Sequence, residues 1–276
     1  MTKGEFLVSQ RKAVFVTGAG SGIGRAIAQK YAREGWFVGL GDRSREGMEE
    51  TVAGMPGGYS YSHVFDVSDR EAWDDALRIV ARAAGGRIDC VVNNAGISLG
   101  GPLAEYSTEE IDRIAAVNFL GVVYGAQAAY PWLKETAPGS CLINTASAAA
   151  IHGMANQSLY GATKAAVRSL TESLDAEWAN DGIRVRSLMP SFIDTPLLQN
   201  APNVKIRDAV VEAGLEFTPV EVVADTAYAA MSSDRTHHLV GKTARKLRFI
   251  AKWAPGYLKK RARLLAEAHD KVAGKD

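Results

Sequence analysis

Tyr160 and Lys164 lie four residues apart in Tyr-Gly-Ala-Thr-Lys, and Ser147 precedes the tyrosine by thirteen residues. Apolar residues recur every three to four positions after Lys164, which predicts a helix with Tyr160 and Lys164 on one face. A lysine one turn away favours the phenolate, so we expect it to lower the tyrosine pKa from its usual value of about 10. A hydroxyl, a phenol and an ammonium suit proton transfer to a carbonyl. Taken alone, Tyr-x-x-x-Lys is also typical of an ordinary amphipathic helix.

The composition is that of a soluble globular protein. The 276 residues are 47% hydrophobic with a mean hydropathy of −0.08, enough for one large α/β domain or two small ones. Thirty-two basic and 31 acidic residues give a net charge of +1, so no overall field draws the chain to nucleic acid.

Short apolar runs alternate with amphipathic stretches along most of the chain. This order predicts βαβ units, hence an α/β fold with a doubly wound parallel sheet in a single domain. We expect an N-terminal tail (1–11), one α/β domain (12–241) and a basic extension (242–276). The predicted strands are Ala13–Val16, Phe37–Leu40, Tyr61–Phe65, Ile88–Val92, Cys141–Thr145 and Val185–Met189. Helices are expected to start near Ile23, Ser68, Thr108 and Ser158, with Ser68 and Thr108 as capping hydroxyls.

Cys90 and Cys141 both lie in apolar runs, which argues against a disulfide framework and favours a reducing compartment. Residues Met1–Phe6 lack the apolar core of a signal peptide, and no run approaches the ~20 apolar residues of a spanning helix. The sequence therefore predicts a cytoplasmic location.

A glycine-rich segment, Thr17-Gly-Ala-Gly-Ser-Gly-Ile-Gly24, directly follows the first predicted strand and opens a helix. Such a turn lets the backbone approach a pyrophosphate, and the helix N-terminus offers free N–H groups. Asp42 ends the second strand, where an acid accepts hydrogen bonds from a ribose 2′-hydroxyl and repels a 2′-phosphate. This favours NAD over NADP, although the adjacent Arg43 could bind a phosphate.

Taken together, these segments, with Asn93-Asn94-Ala95-Gly96 and Asn118, closely resemble the short-chain dehydrogenase/reductase family in its single-domain branch. The resemblance covers roughly residues 12 to 241. It implies an NAD(P)-dependent Rossmann-fold enzyme that interconverts a secondary alcohol and a ketone. It also implies a homodimer or homotetramer built through the helices that carry Asn118 and Tyr160.

The resemblance assigns roles residue by residue. Tyr160 would be the acid/base, Lys164 would lower its pKa and bind the nicotinamide ribose, Ser147 would hold the substrate oxygen, and Asn118 would anchor a water that links Lys164 to solvent. The implied cofactor-binding residues are Gly18, Ser21, Gly22, Ile23, Gly24, Asp42, Asp66, Val67, Asn93, Ala95, Gly96, Tyr160, Lys164, Pro190, Ile193 and Thr195. For Asp66 a helix-entry cap is the alternative, and for Asn93–Gly96 a plain strand-end turn.

The loop after the sixth strand, Pro190-Ser-Phe-Ile-Asp-Thr195, resembles the family's Pro-Gly-x-x-x-Thr loop, with Ser191 where glycine is usual. The implied substrate-binding residues are Ser147, His152 and Tyr160. Further pocket-lining candidates are Met154, Gln157, Phe192 and Leu197, for which core or surface roles are equally compatible. His152 and His237-His238 lack the ligand spacing of a metal site, so none is expected.

The basic extension departs from the family pattern. From Lys242 to Arg263 there are nine Lys or Arg and no acid, interleaved with large apolar residues and interrupted at Ala254-Pro255-Gly256. This predicts two short basic amphipathic helices, which can lie on an anionic membrane. Peripheral membrane contact near the substrate entrance, suited to a lipophilic substrate, is therefore one hypothesis. A helix packed on its own or a neighbouring subunit is the other.

Two rival functions fit the same motifs: an NADP-dependent carbonyl reductase, and a dinucleotide-sensing protein without turnover. Intact Ser147, Tyr160 and Lys164 argue against the sensor, since sensing needs no proton chemistry. No nucleic-acid-binding domain is recognisable. The segment Gln199–Phe217, expected to form a movable substrate lid, carries no readable specificity pattern.

Overall fold

The alternation of strands and helices is present in a computed structural model, which describes residues 11–199, 210, 215–260 and 262. Its strands are β1 (Ala13–Thr17), β2 (Phe37–Asp42), β3 (Ser60–Val64), β4 (Cys90–Asn93), β5 (Cys141–Thr145), β6 (Arg184–Pro190) and β7 (His237–Val240). They form one parallel sheet in the order β3-β2-β1-β4-β5-β6-β7. This confirms the doubly wound α/β fold. The order reverses between β1 and β4, which places a binding crevice at their carboxyl ends.

Helices cover both faces of the sheet. They are α1 (Gly22–Arg33), α2 (Arg45–Ala53), α3 (Arg70–Ala83), α4 (Thr108–Ala115), α5 (Gly121–Glu135), α6 (Ser158–Glu177), α7 (Pro196–Gln199), α8 (Val220–Ala230) and α9 (Lys242–Trp253). A π-helical segment (Ala116–Leu120) joins α4 to α5. Neither α2 nor α8 was predicted. In α2 only Met48 and Thr51 are buried, so its apolar periodicity is weak.

Two helix caps lie one residue away from the predicted ones. The cap of α3 is Asp69, whose carboxylate accepts the N–H groups of Glu71 and Ala72, while the Ser68 hydroxyl donates to Asp66 instead. The cap of α4 is Ser107, which forms a reciprocal capping box with Glu110. In both cases a neighbouring residue of equal capping strength competes with the predicted one.

The core consists of one apolar layer on each side of the sheet, because alternate strand residues face opposite sides. Phe15 of β1 meets Trp73 of α3 edge-on, with 6.1 Å between ring centroids. On the other side, Ile27 and Tyr31 of α1 are fully buried. Burying each such side chain contributes about 1.5–3 kcal/mol, so these layers hold the strand ends that carry the site.

Cys90 and Cys141 are free, buried thiols on neighbouring strands. Burial raises the pKa of Cys141 to about 12. Over the described ranges, no helix has the length and apolar character needed to cross a bilayer.

Candidate active site

The glycine-rich turn packs tightly against the start of the β4 loop. Gly18 has a φ of +65°, and a Cβ there would lie 2.9 Å from the Cα of Ala95. A Cβ on Gly24 would collide with the carbonyl oxygen of Gly18. These two glycines therefore let turn, helix and neighbouring loop approach each other.

The N-terminus of α1 is open. No side chain caps this helix, and Ser21, Gly22 and Ile23 line a cavity. A first helical turn has N–H groups without intrahelical partners and a positive dipole end. This arrangement can bind an anion such as a phosphate.

Two acids lie at the β2–β3 end of the crevice. Asp42 accepts hydrogen bonds from the N–H groups of Gly20 (2.8 Å) and Ser44 (2.9 Å). Asp66 accepts from Ser68, and its other oxygen lies 3.7 Å from the Arg43 guanidinium. Burial would raise the pKa of Asp66, but the Ser68 hydrogen bonds and the Arg43 charge outweigh it and hold that pKa below the usual value.

The side chain of Asn93, the last residue of β4, does not face the crevice. Its amide nitrogen donates to the Asn144 side chain at 2.9 Å, and the residue is 2% exposed. The adjacent Asn94 lines the cavity and donates to the Thr17 carbonyl at 3.0 Å. The Asn93 side chain thus faces the core and that of Asn94 the crevice, because successive strand residues point to opposite faces; the prediction that Asn93 is a cofactor-binding residue stays a prediction.

Val67 also turns away from the cavity. Its carbonyl accepts the indole N–H of Trp73 at 2.9 Å, and its side chain packs beside Gly121. Its placement is that of a core residue beneath the Asp66 loop.

Asn118 is fully buried in the π-helical segment. Its amide forms a two-point contact with the backbone of Ile97: Oδ1 accepts the N–H at 2.8 Å, and Nδ2 donates to the carbonyl at 2.9 Å. Gly96 lies between Asn118 and Lys164, since a Cβ built on it would be 3.3 Å from Asn118 Oδ1 and 3.5 Å from Lys164 Nζ.

Ser147, Tyr160 and Lys164 meet in the same cavity. Ser147 follows β5 and is hydrogen-bonded to Tyr160. Lys164 is 3% exposed, its Nζ donates to the Thr145 carbonyl at 2.9 Å, and the same atom lies 5.9 Å from the Tyr160 ring centroid. The helical spacing thus brings the two side chains to one side of α6, as predicted.

Burial governs the protonation of this group. It raises the pKa of Tyr160, which the hydrogen bond with Ser147 only partly opposes, and it lowers the pKa of Lys164 to about 8. The predicted lowering of the tyrosine pKa is therefore wrong in direction, because desolvation of the phenolate is the largest influence on the pKa of Tyr160.

The Pro190–Thr195 loop forms the facing wall. Pro190, Ile193 and Thr195 line the cavity, and a Cβ on Gly22 would lie 3.2 Å from the Thr195 side chain. Ser191 donates to the Val240 carbonyl through both its N–H and its hydroxyl. The serine therefore anchors the loop to β7.

The family model for short chain dehydrogenases matches residues 12–205. Meso-2,3-butanediol dehydrogenase from Serratia marcescens is 36% identical over 222 residues, which cover 79% of this chain and 87% of that protein. The chain belongs to the short-chain dehydrogenase family.

Solved structures of short-chain dehydrogenases agree with this assignment. Levodione reductase is 30% identical, with a TM-score of 0.77 over 85% of this chain and 98% of that one. A short-chain dehydrogenase from Burkholderia phymatum, solved in complex with NAD, is 26% identical, with a TM-score of 0.78 over 87% and 92% of the two chains. The chain is thus an oxidoreductase of a family that binds nicotinamide dinucleotides.

The residues of this short-chain dehydrogenase fit such a dinucleotide. The uncapped start of α1 provides N–H groups for a pyrophosphate, and Asp42 lies beside it through Gly20. The cavity then continues from the glycine-rich turn past Lys164 to Tyr160 and Ser147. One continuous space of about 700 Å³ therefore leads from the glycine-rich turn to Tyr160 and Ser147.

All of the predicted pocket-lining residues lie along this cavity. They are His152, Met154, Gln157, Phe192 and Leu197. Of the described residues, no group of three or more His, Cys, Asp or Glu side chains is arranged to hold a metal ion.

The basic extension forms part of the cavity wall, which was not predicted from the sequence. The predicted two helices are present, α9 and a second one that runs through 255–260 with a break at Ala254. Thr243, Leu247, Ile250 and Leu258 face the cavity. The spacing of Thr243, Leu247 and Ile250 along α9 is the signal that identifies an inward face. Arg261, Arg263 and Leu264, like most of the proposed lid 199–217, lie outside the described residues.

Proposed function

We propose that the chain transfers a hydride between NAD(H) and a secondary alcohol or ketone, with a lipophilic molecule as substrate. The observation that carries this proposal is the convergence of Ser147, Tyr160 and Lys164 at one end of a cavity whose other end is a phosphate-binding turn. A dinucleotide sensor without turnover has no use for this buried proton-transfer group.

In the direction of reduction, the carbonyl oxygen lies against the hydroxyls of Ser147 and Tyr160. A dinucleotide held by the glycine-rich turn and Lys164 would supply the hydride for this reduction. Negative charge grows on the oxygen, the Ser147 hydroxyl donates a hydrogen bond to it, and Tyr160 delivers the proton. Because burial raises the pKa of Tyr160, the phenol is protonated at neutral pH and is ready to act as the acid.

Loss of this proton leaves a phenolate in a dry site, and Lys164 is the cation that stabilises it. The Lys164 pKa of about 8 lets its ammonium pass a proton towards the tyrosine near neutral pH. Asn118 acts as a positioning residue, because its amide fixes the Ile97 backbone beside Gly96. The space bounded by Gly96, Asn118 and Lys164 is the proposed proton path.

Asp42 supports the preference for NAD. Its carboxylate lies next to the glycine-rich turn, where it accepts ribose hydroxyls and repels a 2′-phosphate. Arg43, the residue that would favour NADP, has a carboxylate partner in Asp66.

A lipophilic substrate fits the walls of the cavity. Apolar side chains from the Pro190–Thr195 loop, α7 and the basic extension surround the space next to Ser147 and Tyr160. They include Phe192, Leu197, Leu198, Leu247, Ile250 and Leu258. Water is excluded from such a space, which strengthens the hydrogen bonds to the reacting oxygen.

We also propose a homo-oligomer assembled through α4, α5 and α6, the helices around Asn118 and Tyr160. Leu120, in the π-helical segment, is 39% exposed, and an exposed leucine there suits a subunit contact. Sedimentation analysis of the full chain and of Leu120→Lys tests this proposal, since a charge at the contact would favour the monomer.

The direct test follows nicotinamide absorbance with a panel of hydroxysteroids, aliphatic and aromatic alcohols, and ketones. Tyr160→Phe is expected to abolish turnover of any active substrate while cofactor affinity stays nearly unchanged. Tyr61→Phe, at an exposed tyrosine on β3, is the matched control and keeps full activity. Undiminished turnover in Tyr160→Phe would refute the mechanism.

A further inference from the structure

The basic extension has two faces with different surroundings. On one side of α9, Ala244 is fully buried, and Leu247 and Ile250 line the cavity. On the other side, Phe249 is 66% exposed and Trp253 is 67% exposed. The helix therefore presents large apolar side chains both to the protein and away from it.

The two exposed aromatic residues form a single stripe. Phe249 and Trp253 are one turn apart, and Arg245 precedes Phe249 by another turn, so the three share a helix face. Arg248 and Lys252 form a second stripe directly beside it, and the Lys252 ammonium lies 4.9 Å from the Trp253 ring centroid. Exposed aromatic surface rimmed by charge of one sign marks an interaction site.

Positive charge is concentrated here. Between Lys242 and Lys260 the chain has seven Lys or Arg and no acidic residue, while the whole chain carries only +1. Within the described part of the chain, one cation of this stretch has an ion-pair partner: Lys242 pairs with Glu216. The remaining charges are available to an anionic partner.

We propose that this outward face of the extension docks on an anionic lipid membrane. Phosphate headgroups above an apolar interior match cations that flank two aromatic side chains, because the cations meet the headgroups while the rings enter the interface. A second copy of the chain is disfavoured on the same face, since it would bring the same positive charge into contact.

Docking would place the membrane beside the substrate cavity. The same helix separates the two, with Phe249 and Trp253 outside and Leu247 and Ile250 inside. A lipophilic alcohol or ketone dissolved in the bilayer would thus be held within one helix diameter of the cavity wall. Membrane binding does not depend on turnover, so it can fail while the proposed reaction stands.

The test is co-sedimentation of the full chain with vesicles of phosphatidylcholine alone or mixed with phosphatidylglycerol. We expect binding only to the mixed vesicles, weakening as salt is added, and a blue shift of tryptophan emission. Trp253 is expected to contribute most to this shift, because it is 67% exposed, Trp36, Trp73 and Trp178 are at most 8% exposed, and Trp132 is half-buried.

Two sets of variants separate charge from insertion. Arg245→Gln/Arg248→Gln/Lys252→Gln is expected to weaken binding roughly a hundredfold, from about a factor of five per charge. Phe249→Ser/Trp253→Ser is expected to weaken it at least about tenfold, through lost apolar burial. Arg33→Gln/Arg78→Gln/Arg82→Gln removes the same charge from exposed positions on α1 and α3 and is expected to bind nearly as well as the original chain.

Circular dichroism and the melting temperature verify that each variant is folded. The proposal is overturned if mixed vesicles do not bind the chain, if the α1/α3 triple variant loses as much affinity as the α9 triple variant, or if Phe249→Ser/Trp253→Ser binds undiminished. A change in oligomeric mass caused by Phe249→Ser/Trp253→Ser, without vesicle binding, would assign the face to contact between copies instead.

Discussion

Asp42 accepts a hydrogen bond from the backbone N–H of Gly20, with 2.8 Å between Oδ2 and the nitrogen. The contact ties the end of β2 to the glycine-rich turn, and a Cβ on Gly20 would lie 3.0 Å from the same carboxylate. The turn and the acid are therefore in direct contact, which makes Asp42 the position at which to test cofactor preference.

Asp42→Asn is expected to shift the ratio of kcat/KM for NAD over NADP towards NADP by about tenfold, because a neutral amide no longer repels a 2′-phosphate. Initial rates with both cofactors measure this ratio. Asp74→Asn, at an exposed acid on α3, is the control and should leave it unchanged. A constant ratio in Asp42→Asn would mean that the acid does not govern cofactor choice.

Lys164 makes stability depend on pH in a definite direction. Its pKa is about 8 in the folded chain and about 10.4 when unfolded, so the unfolded state binds more protons between these values and stability rises with pH there. Relative to Lys164→Met, the free energy of unfolding of the original chain should rise by about 3 kcal/mol from pH ~7 to pH ~10.5.

Urea unfolding at several pH values measures this difference. Comparison with Lys164→Met cancels the contributions of buried tyrosine and cysteine groups, which act in the opposite direction at high pH. Lys252→Met, at an exposed lysine on α9, should show no such dependence. A pH-independent difference for Lys164→Met would mean that Lys164 is not desolvated.

Gly96→Ala tests the space between Asn118 and Lys164. The added methyl would lie 3.3 Å from Asn118 Oδ1, close enough to displace these polar groups by a few tenths of an ångström. We expect kcat to fall about tenfold while the melting temperature changes little. Gly57→Ala, where a Cβ meets no atom within 4 Å, is the matched control. Full activity in Gly96→Ala would remove this space from the proton path.

Ile250→Ala tests the wall formed by the basic extension. Removing part of a cavity-lining side chain should raise the preference for bulkier secondary alcohols over smaller ones by about tenfold in kcat/KM. Phe249→Ala removes a larger side chain from the opposite face of the same helix and should leave the preference as it was. If both variants changed the substrate preference equally, the cause would be a general disturbance of α9 and not the loss of a cavity-lining side chain.

Features with local causes were predictable from the sequence. The parallel sheet follows from apolar runs such as Ala13–Val16, and the shared face of Tyr160 and Lys164 follows from helical spacing. The roles of these residues, by contrast, stay predictions until they are measured. The protonation of Tyr160 was mispredicted because burial, which dominates it, is a property of the whole packed site and not of a four-residue spacing.

Other side-chain positions could not be predicted, because the sequence alone allows either of two neighbouring residues to take the same place. Asn93 and Asn94 are identical in type, and only the register of β4 decides that the first faces the core and the second the crevice. Ser68 and Asp69 compete as caps in the same way. The inward face of α9 is readable from the spacing of Leu247 and Ile250, but the surface that it covers is not.

The cavity of this enzyme has two parts, and the residues after β7 form a wall of only one of them. The crevice for the dinucleotide lies at the ends of β1, β2 and β4, while the terminal segment forms a wall at the other end of the same cavity. We therefore expect changes confined to that terminal segment to alter substrate preference while leaving the glycine-rich turn as it is.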